Sequence, residues 1–319
     1  MARFLVTGGA GFIGSNIVEY LLREGHSVRV LDNFLSGNEN NLNFTSEFPS
    51  DQFELTRGDI RDPNTCYQAC KWIDYVIHQA ALRSVPKSMT MPDDFNAVNI
   101  QGTLNMLQAA SQHNVKRFVF ASSSSIYGDT ALSPQREDHQ PLLVSPYALT
   151  KLAGEYYCRI FAKQFGLETV CLRYFNVFGP KQAVDDEYAV VIPKFIQCLF
   201  NDEQTPIFGI GQQARDFTYI DNVVEANVLS ATTAGIQHDI FNVACGKSYT
   251  ILNLLTVLNK ILGKDIKPKF FPPRPGDIFK THADISRIQE RLDYEPRVDF
   301  EEGLKKTIDY FRGVHAKCV

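Results

Sequence analysis

Positive charge is scarce in this chain: 32 Lys and Arg stand against 36 Asp and Glu, a formal net charge of -4. A phosphate backbone is therefore a poor partner, and nucleic-acid binding is not expected. No apolar run reaches membrane-spanning length. The first residues, Met1-Ala2-Arg3-Phe4-Leu5-Val6, lack the charged segment, apolar stretch and small-residue cleavage site of a secretion signal. The cysteines form no framework, being seven in number, odd and scattered. Cys66 and Cys70, four apart, are followed by no His or second Cys pair at zinc spacing. These absences predict a soluble, cytoplasmic protein with reduced, mostly buried thiols, no metal and no membrane contact. Internal repeats and low-complexity tracts are missing as well.

What is present is an ordinary globular composition, 44% apolar and 21% charged, over 319 residues. That length exceeds one usual hydrophobic core, so two lobes sharing a cleft are expected. The first half alternates short β-rich runs with helical patterns. Phe4-Leu5-Val6, Val28-Arg29-Val30-Leu31, Phe53-Glu54-Leu55, Tyr75-Val76-Ile77-His78, Phe118-Val119-Phe120-Ala121 and Thr169-Val170-Cys171-Leu172 read as six strands. Helices fall at Ser15 to Arg23, at about Asp93 to His113 with Leu104, Leu107 and Ala110 in register, and from Pro146 to about Phe165. Such alternation predicts an α/β fold, a doubly wound parallel sheet covered on both faces. After Asn176 the rhythm breaks into Pro and Gly clusters without a clean linker. We expect a first domain over 1–176 and a smaller α/β substrate lobe over 177–319 that interleaves with the sheet.

Thr7-Gly8-Gly9-Ala10-Gly11-Phe12-Ile13-Gly14 follows the first strand at once and opens the first helix. Glycines there turn the chain tightly, admit a pyrophosphate to the backbone and let helix and strand pack closely, while the helix N-terminus offers aligned N–H groups. Asp32 ends the second strand, where a carboxylate accepts both hydroxyls of an adenine ribose and repels a 2′-phosphate. Asn33 follows it rather than an arginine, so NAD is favoured over NADP. Gly58-Asp59-Ile60 after strand three reads as a turn or as an adenine-edge contact. Tyr147 and Lys151 lie four apart on one helix and project from one face. By itself that spacing is common to solvated surface pairs. A tyrosine base needs its pKa lowered by about three units, about 4 kcal/mol of differential stabilisation, and a neighbouring ammonium acts in that direction. The fifth strand ends in Ser122-Ser123-Ser124-Ser125-Ile126-Tyr127-Gly128, a hydroxyl cluster at the end of a sheet strand where open α/β sheets bind ligands. Four serines can also simply cap the next turn.

Taken together, these motifs resemble the extended short-chain dehydrogenase/reductase family. Leu172-Arg173-Tyr174-Phe175-Asn176-Val177-Phe178-Gly179-Pro180, Arg215-Asp216-Phe217-Thr218-Tyr219-Ile220 and Arg274-Pro275-Gly276-Asp277 are similar to the UDP-sugar epimerases within it. His78-Gln79-Ala80-Ala81-Leu82 and Ala189-Val190-Val191-Ile192-Pro193-Lys194 draw the likeness toward the UDP-N-acetylglucosamine 4-epimerase group. The resemblance spans essentially the whole chain. It implies Ser123, Tyr147 and Lys151 as the catalytic set, with Ser123 on the sugar O4, Tyr147 as base and acid, and Lys151 on the nicotinamide ribose. For NAD it implies Gly8, Gly11, Phe12, Ile13, Gly14, Asp32, Asn33, Ser36, Gly37, Asp59, Ile60, Gln79, Ala80, Ala81, Asn99, Ser122 and Tyr174, beside Tyr147 and Lys151. For the UDP-sugar it implies Arg83, Ser84, Ser123, Ser124, Tyr147, Asn176, Val190, Lys194, Arg215, Arg274, Asp277 and Thr281. Arg215 and Arg274 would then supply the local positive charge that the acidic whole lacks.

The implied reaction has no net redox change. Tyr147 takes the C4 hydroxyl proton while the hydride passes to NAD; the 4-keto sugar turns about its diphosphate anchor and regains hydride on its other face. Thr281, seven after Arg274, falls at the family's gate beside the sugar's 2-substituent, and its small size admits UDP-GlcNAc/UDP-GalNAc as well as UDP-Glc/UDP-Gal. Arg83 stands where some close relatives carry glycine, and it could meet a uronate carboxylate. Three alternatives stay open at this stage: a UDP-glucuronate 4-epimerase or decarboxylase, a 4,6-dehydratase, and a non-catalytic NAD-binding scaffold. The dehydratase reading is weakened because Ser124-Ser125 stand where an Asp-Glu pair would be needed. The resemblance also implies a homodimer through the helices around Thr103–Gln112 and Tyr147–Phe161.

Overall fold

The computed structural model describes residues 1–183, 191–273 and 278–315. Strands β1 (Arg3–Thr7), β2 (Ser27–Asp32), β3 (Phe53–Arg57), β4 (Tyr75–His78), β5 (Arg117–Ser123) and β6 (Glu168–Tyr174) carry near-continuous apolar runs because both faces of their sheet are covered. Helix α1 (Phe12–Arg23) lies on one face; α2 (Pro63–Ala69), α5 (Thr103–Gln112) and α6 (Pro146–Phe165) lie on the other. The intervening α3 (Val85–Thr90) and α4 (Pro92–Phe95) pack against α6. Short strands β7 (Val177–Phe178), β8 (Pro206–Phe208), β9 (Ala214–Arg215), β10 (Thr218–Tyr219), β12 (Tyr249–Thr250) and β13 (Lys269–Phe271) pair two by two in the second lobe. With them go α7 (Val191–Phe200), α9 (Ile251–Leu262), α10 (Ser286–Leu292) and α11 (Phe300–His315).

Two later elements return to the first lobe. Helix α8 (Ile220–Thr232) packs beside α1, and β11 (His238–Val243) joins the sheet in parallel with β6. The seven parallel strands run in the order β11-β6-β5-β4-β1-β2-β3. The winding reverses between β1 and β4, and the crevice outside that point is where doubly wound sheets bind ligands.

The helix expected over about Asp93 to His113 is not one regular α-helix. After α4 the chain widens into a π-helical stretch over Asn96–Gly102 before α5 begins. Within it the Asn99 carbonyl accepts the Thr103 hydroxyl at 2.7 Å, and the Asn99 amide leaves the helix to bond elsewhere. Helix α6 follows its expected course: Ser145 caps it by accepting from Ala148 N at 3.2 Å, Pro146 takes the first turn, and Gly166 ends it in the left-handed region.

Candidate active site

The glycine turn builds the first wall. Gly11 N donates to Gly8 O at 3.0 Å, and a Cβ on Gly14 would lie 2.2 Å from that same oxygen, so no side chain fits there. Gly11 is the N-cap of α1 and no side chain caps the helix, which leaves its first-turn N–H groups to an anion. Asp32, at the carboxyl end of β2, is held by Ala10 N (2.9 Å) and Phe34 N (2.8 Å). Asn33 donates to Asp59 at 2.8 Å, and the Arg61 guanidinium holds the Asp59 carboxyl down at about 2.

These residues line a cleft of about 520 Å³. Of the expected cofactor positions, Gly8, Gly11, Phe12, Ile13, Gly14, Asp32, Asn33, Ser36, Gly37, Asp59, Ile60, Gln79, Ala80 and Ala81 line it, and Arg83 does too. A narrow cradle closed to side chains, open N–H groups above it and a carboxylate at one end fit a dinucleotide with an unphosphorylated adenine ribose. Sequence reasoning missed the outer wall, made by Lys181, Gln182 and Ala183 after β7 and by Tyr310 and Phe311 of α11. Lys181 and Gln182 directly follow the Gly179-Pro180 motif and could have been found by reading two residues further; Tyr310 and Phe311 carry no sequence signal.

The catalytic candidates converge at the carboxyl end of β5. Ser123 ends that strand, and its hydroxyl accepts from Ser125 N at 3.2 Å. Helix α6 comes unusually close to β5, because a Cβ on Gly154 would stand 2.3 Å from the Phe120 ring. Tyr147, half-buried, occupies the first turn of that helix. One turn on, Lys151 donates to Ala121 O at 2.7 Å and lies 5.9 Å from the centre of the Tyr147 ring.

The Lys151 nitrogen is thus directed at a main-chain carbonyl rather than at the phenol. Burial pushes the Lys151 ammonium down to about 7, because its nitrogen is desolvated. Burial likewise raises the Tyr147 phenol, opposed by a hydrogen bond with Ser123 and by the charge of Arg83. Among the described residues, then, Arg83 is the cation that favours the phenolate.

Three expected cofactor contacts have their side chains turned inward. The Asn99 amide accepts from Leu82 N (2.8 Å) and donates to Leu82 O (2.9 Å) and to the Thr150 hydroxyl (3.1 Å). The Ser122 hydroxyl donates to Glu155 at 2.6 Å, inside a buried Glu155–Arg173 ion pair of 2.8 Å. The Tyr174 hydroxyl donates to Asn227 (2.9 Å) and accepts from Gln79 (2.8 Å). The donor groups of Asn99, Ser122 and Tyr174 are thus all committed to protein partners.

On the substrate side, Asn176 sits in the left-handed region, with φ 34°. Its amide donates to the Thr281 hydroxyl at 2.9 Å and to Asp216 O at 3.4 Å. Thr281 is therefore no open lip: it is 5% exposed, and its hydroxyl also accepts from Asp216 N at 3.2 Å. The Asp216 carboxylate, fully buried, accepts from Cys245 N and Ala283 N, and burial pushes it up to about 7. Arg215 donates to Ala214 O and Phe279 O. Ser84 caps α3, Ser124 opens the 3-10 turn over Ser124–Tyr127, and Lys194 on α7 donates to Gln197 at 3.4 Å. Val190, Arg274 and Asp277 lie outside the described residues.

The chain is similar to known proteins over nearly its whole length. The profile of the NAD dependent epimerase/dehydratase family matches residues 4–244. A UDP-N-acetylglucosamine 4-epimerase from Methanobrevibacter ruminantium M1, solved with UDP-N-acetylmuramic acid, is 40% identical with a TM-score of 0.93, covering 98% of this chain and 99% of that one. A UDP-glucose 4-epimerase of Mycolicibacterium smegmatis is 37% identical over 312 residues, 97% of this chain and 98% of that protein. A UDP-glucuronic acid 4-epimerase from Bacillus cereus, solved with UDP-glucuronic acid and NAD, is 33% identical with a TM-score of 0.89, covering 98% and 99% of the two chains.

Proposed function

The chain belongs to the NAD dependent epimerase/dehydratase family, and from that premise we propose that this NAD-dependent UDP-sugar 4-epimerase acts chiefly on UDP-GlcNAc and UDP-GalNAc and also accepts UDP-Glc and UDP-Gal. One observation carries the proposal. A phenol, a serine hydroxyl and a buried lysine meet at the end of β5, and the charge of Arg83, in the wall of the cleft that also holds Asp32, is felt at the phenol.

NAD in that cleft supplies a reversible hydride acceptor. Every other task falls to the chain. The N–H groups of Phe12, Ile13 and Gly14 would receive the pyrophosphate, and Asp32 the adenine ribose hydroxyls. Lys151 has N–H groups left after Ala121 and holds the nicotinamide ribose with them. Ser123 hydrogen-bonds the sugar O4, and Tyr147 takes the C4 hydroxyl proton and later returns it. Arg215 and Arg274 grip the diphosphate, so the 4-keto sugar is retained yet can rotate about its tether. Thr281 leaves room for an acetamido group at C2.

A second reading keeps the same chemistry with a uronate as substrate. Arg83 favours it, because this cation lines the cleft with its charge felt at Tyr147, and a relative of 33% identity binds UDP-glucuronic acid. An NMR time course on UDP-GlcNAc, UDP-Glc and UDP-GlcA with no added cofactor separates the readings. Turnover of UDP-GlcA alone would replace the first by the second, and inertness toward all three would remove both. We further propose a homodimer through α5 and α6, since Leu149, Tyr156 and Ile160 are each about half exposed along α6.

A further inference from the structure

We propose that His78, held as the neutral Nε2–H tautomer, is a positioning residue that locks the cofactor-facing loop after β4 to the catalytic helix. His78 ends β4, is 1% exposed, and takes no part in the chemistry described above. Its two ring nitrogens meet two buried threonine hydroxyls: Nδ1 lies 2.7 Å from Thr7 Oγ1 and Nε2 lies 3.1 Å from Thr103 Oγ1.

Proton accounting fixes the direction of this chain. The Thr103 hydroxyl donates its only proton to Asn99 O at 2.7 Å, so toward His78 it can only accept, and Nε2 must carry the hydrogen. Nδ1 is then bare in the neutral ring, and the Thr7 hydroxyl donates to it. The Thr7 oxygen in turn accepts from Ala80 N at 3.2 Å. The chain therefore runs in one sense, from Ala80 N–H through Thr7, His78 and Thr103 to the Asn99 carbonyl. The opposite tautomer would strip Asn99 of its donor. A charged ring would add a second donor beside Thr7 and leave that hydroxyl's own proton without an acceptor. Burial also pushes the imidazole down to about 3, with the Lys151 charge acting in the same sense. The other groups against the ring, Phe118 and Phe120, carry no charge.

Both ends of the chain bear on the active site. At one end is the loop from Gln79 to Arg83, part of the cleft wall. At the other, Asn99 grips both main-chain groups of Leu82 and the hydroxyl of Thr150, the residue before Lys151. One widened helical turn, Asn99 to Thr103, thus ties the loop and α6 together through two routes, and His78 is the central link of one.

The positioning role rests on the epimerase reading of the cleft; the tautomer does not. Nitrogen-15 NMR of the NAD-loaded enzyme labelled at histidine should show His78 protonated at Nε2 alone, with no titration from about pH 5 to 9. A proton on Nδ1, or titration in that range, overturns the proposal. In epimerase assays Thr103→Val should lower kcat about tenfold while KM for the UDP-sugar stays within about twofold, and His78→Phe should do at least as much. His78→Gln keeps a donor toward Thr103 and should recover part of the His78→Phe loss, and the Thr103→Val/His78→Phe pair should lose no more than the worse single variant. Unchanged kcat in Thr103→Val, a loss confined to KM, or additive losses would each refute the role. A wild-type protein inert toward every UDP-hexose would instead sink the functional reading and leave the tautomer standing.

Discussion

Replacing Thr281 tests whether this residue acts by its size or by its hydroxyl. The hydroxyl accepts from Asn176 Nδ2 (2.9 Å) and Asp216 N (3.2 Å) at a site only 5% exposed. Thr281→Val keeps the shape and removes the acceptor. Asp216 N is then left without that partner in a residue with no exposure, and Asn176 retains only its 3.4 Å contact with Asp216 O. Each orphaned buried donor costs about 1 to 3 kcal/mol. If roughly 1.4 kcal/mol of that appears as a misplaced Asn176 in the transition state, kcat/KM falls about tenfold. Because the Asn176 amide is loosened whatever the 2-substituent, UDP-GlcNAc and UDP-Glc should suffer alike. Thr281→Tyr loses the same bonds and also fills the space, so it should cost UDP-GlcNAc a further factor beyond the valine level. The assay is kcat/KM for both sugars on wild type, Thr281→Ser, Thr281→Val and Thr281→Tyr, with NAD content and thermal midpoint measured alongside. Thr281→Ser should stay near wild type. Wild-type activity in Thr281→Val would refute the anchoring argument; equal loss on both sugars in Thr281→Tyr would refute the gate.

Three further outcomes follow from the site. Lys151 has a folded pKa of about 7, below the ordinary lysine value of 10.5, so the unfolded chain binds more protons between those values and stability rises with pH there, by at most about 1.4 kcal/mol per unit. In NAD-free protein Lys151→Met should remove that rise, seen as a pH-dependent difference in denaturant midpoints; parallel curves from about pH 7 to 9 would contradict the burial argument. Arg83→Gln withdraws the cation that favours the Tyr147 phenolate, so the acid limb of the kcat/KM profile should move to higher pH, and no movement would show that the charge does not reach the phenol. Gly14→Ala, whose Cβ would lie 2.2 Å from Gly8 O, should yield protein that retains no NAD after gel filtration; full retention would mean the turn can open at little cost.

How much could be read from the chain alone depended on which kind of order a residue belonged to. Strands β1 to β6 were legible because a sheet covered on both faces demands unbroken apolar runs, and the glycine turn and Asp32 were legible as cleft-lining residues because of their places directly after β1 and at the end of β2. Strand β11 was not, since His238–Val243 sits among short elements and earns its place only by pairing with β6. The π-helical turn at Asn96–Gly102 hid inside a helical period from which it hardly departs.

The inward-turned residues make the sharper point. Motifs placed Asn99, Ser122 and Tyr174 at the site, but position along a strand or helix does not say which partner takes a side chain's hydrogen bonds. That choice is made by groups far away in sequence: Thr150 for Asn99, Glu155 for Ser122, Asn227 for Tyr174. The same holds for Lys151, whose nearness to Tyr147 was visible as a four-residue spacing while its carbonyl partner Ala121, 30 residues away, was not. A buried ammonium bonded to one carbonyl has a reason to give up its proton until the cleft is filled, and a dinucleotide laid beside it would supply hydroxyl partners for its other N–H groups. If Lys151 holds the ribose as proposed, cofactor and catalytic power would be coupled through it: binding would restore its charged form, the form that can help ionise the phenol of Tyr147.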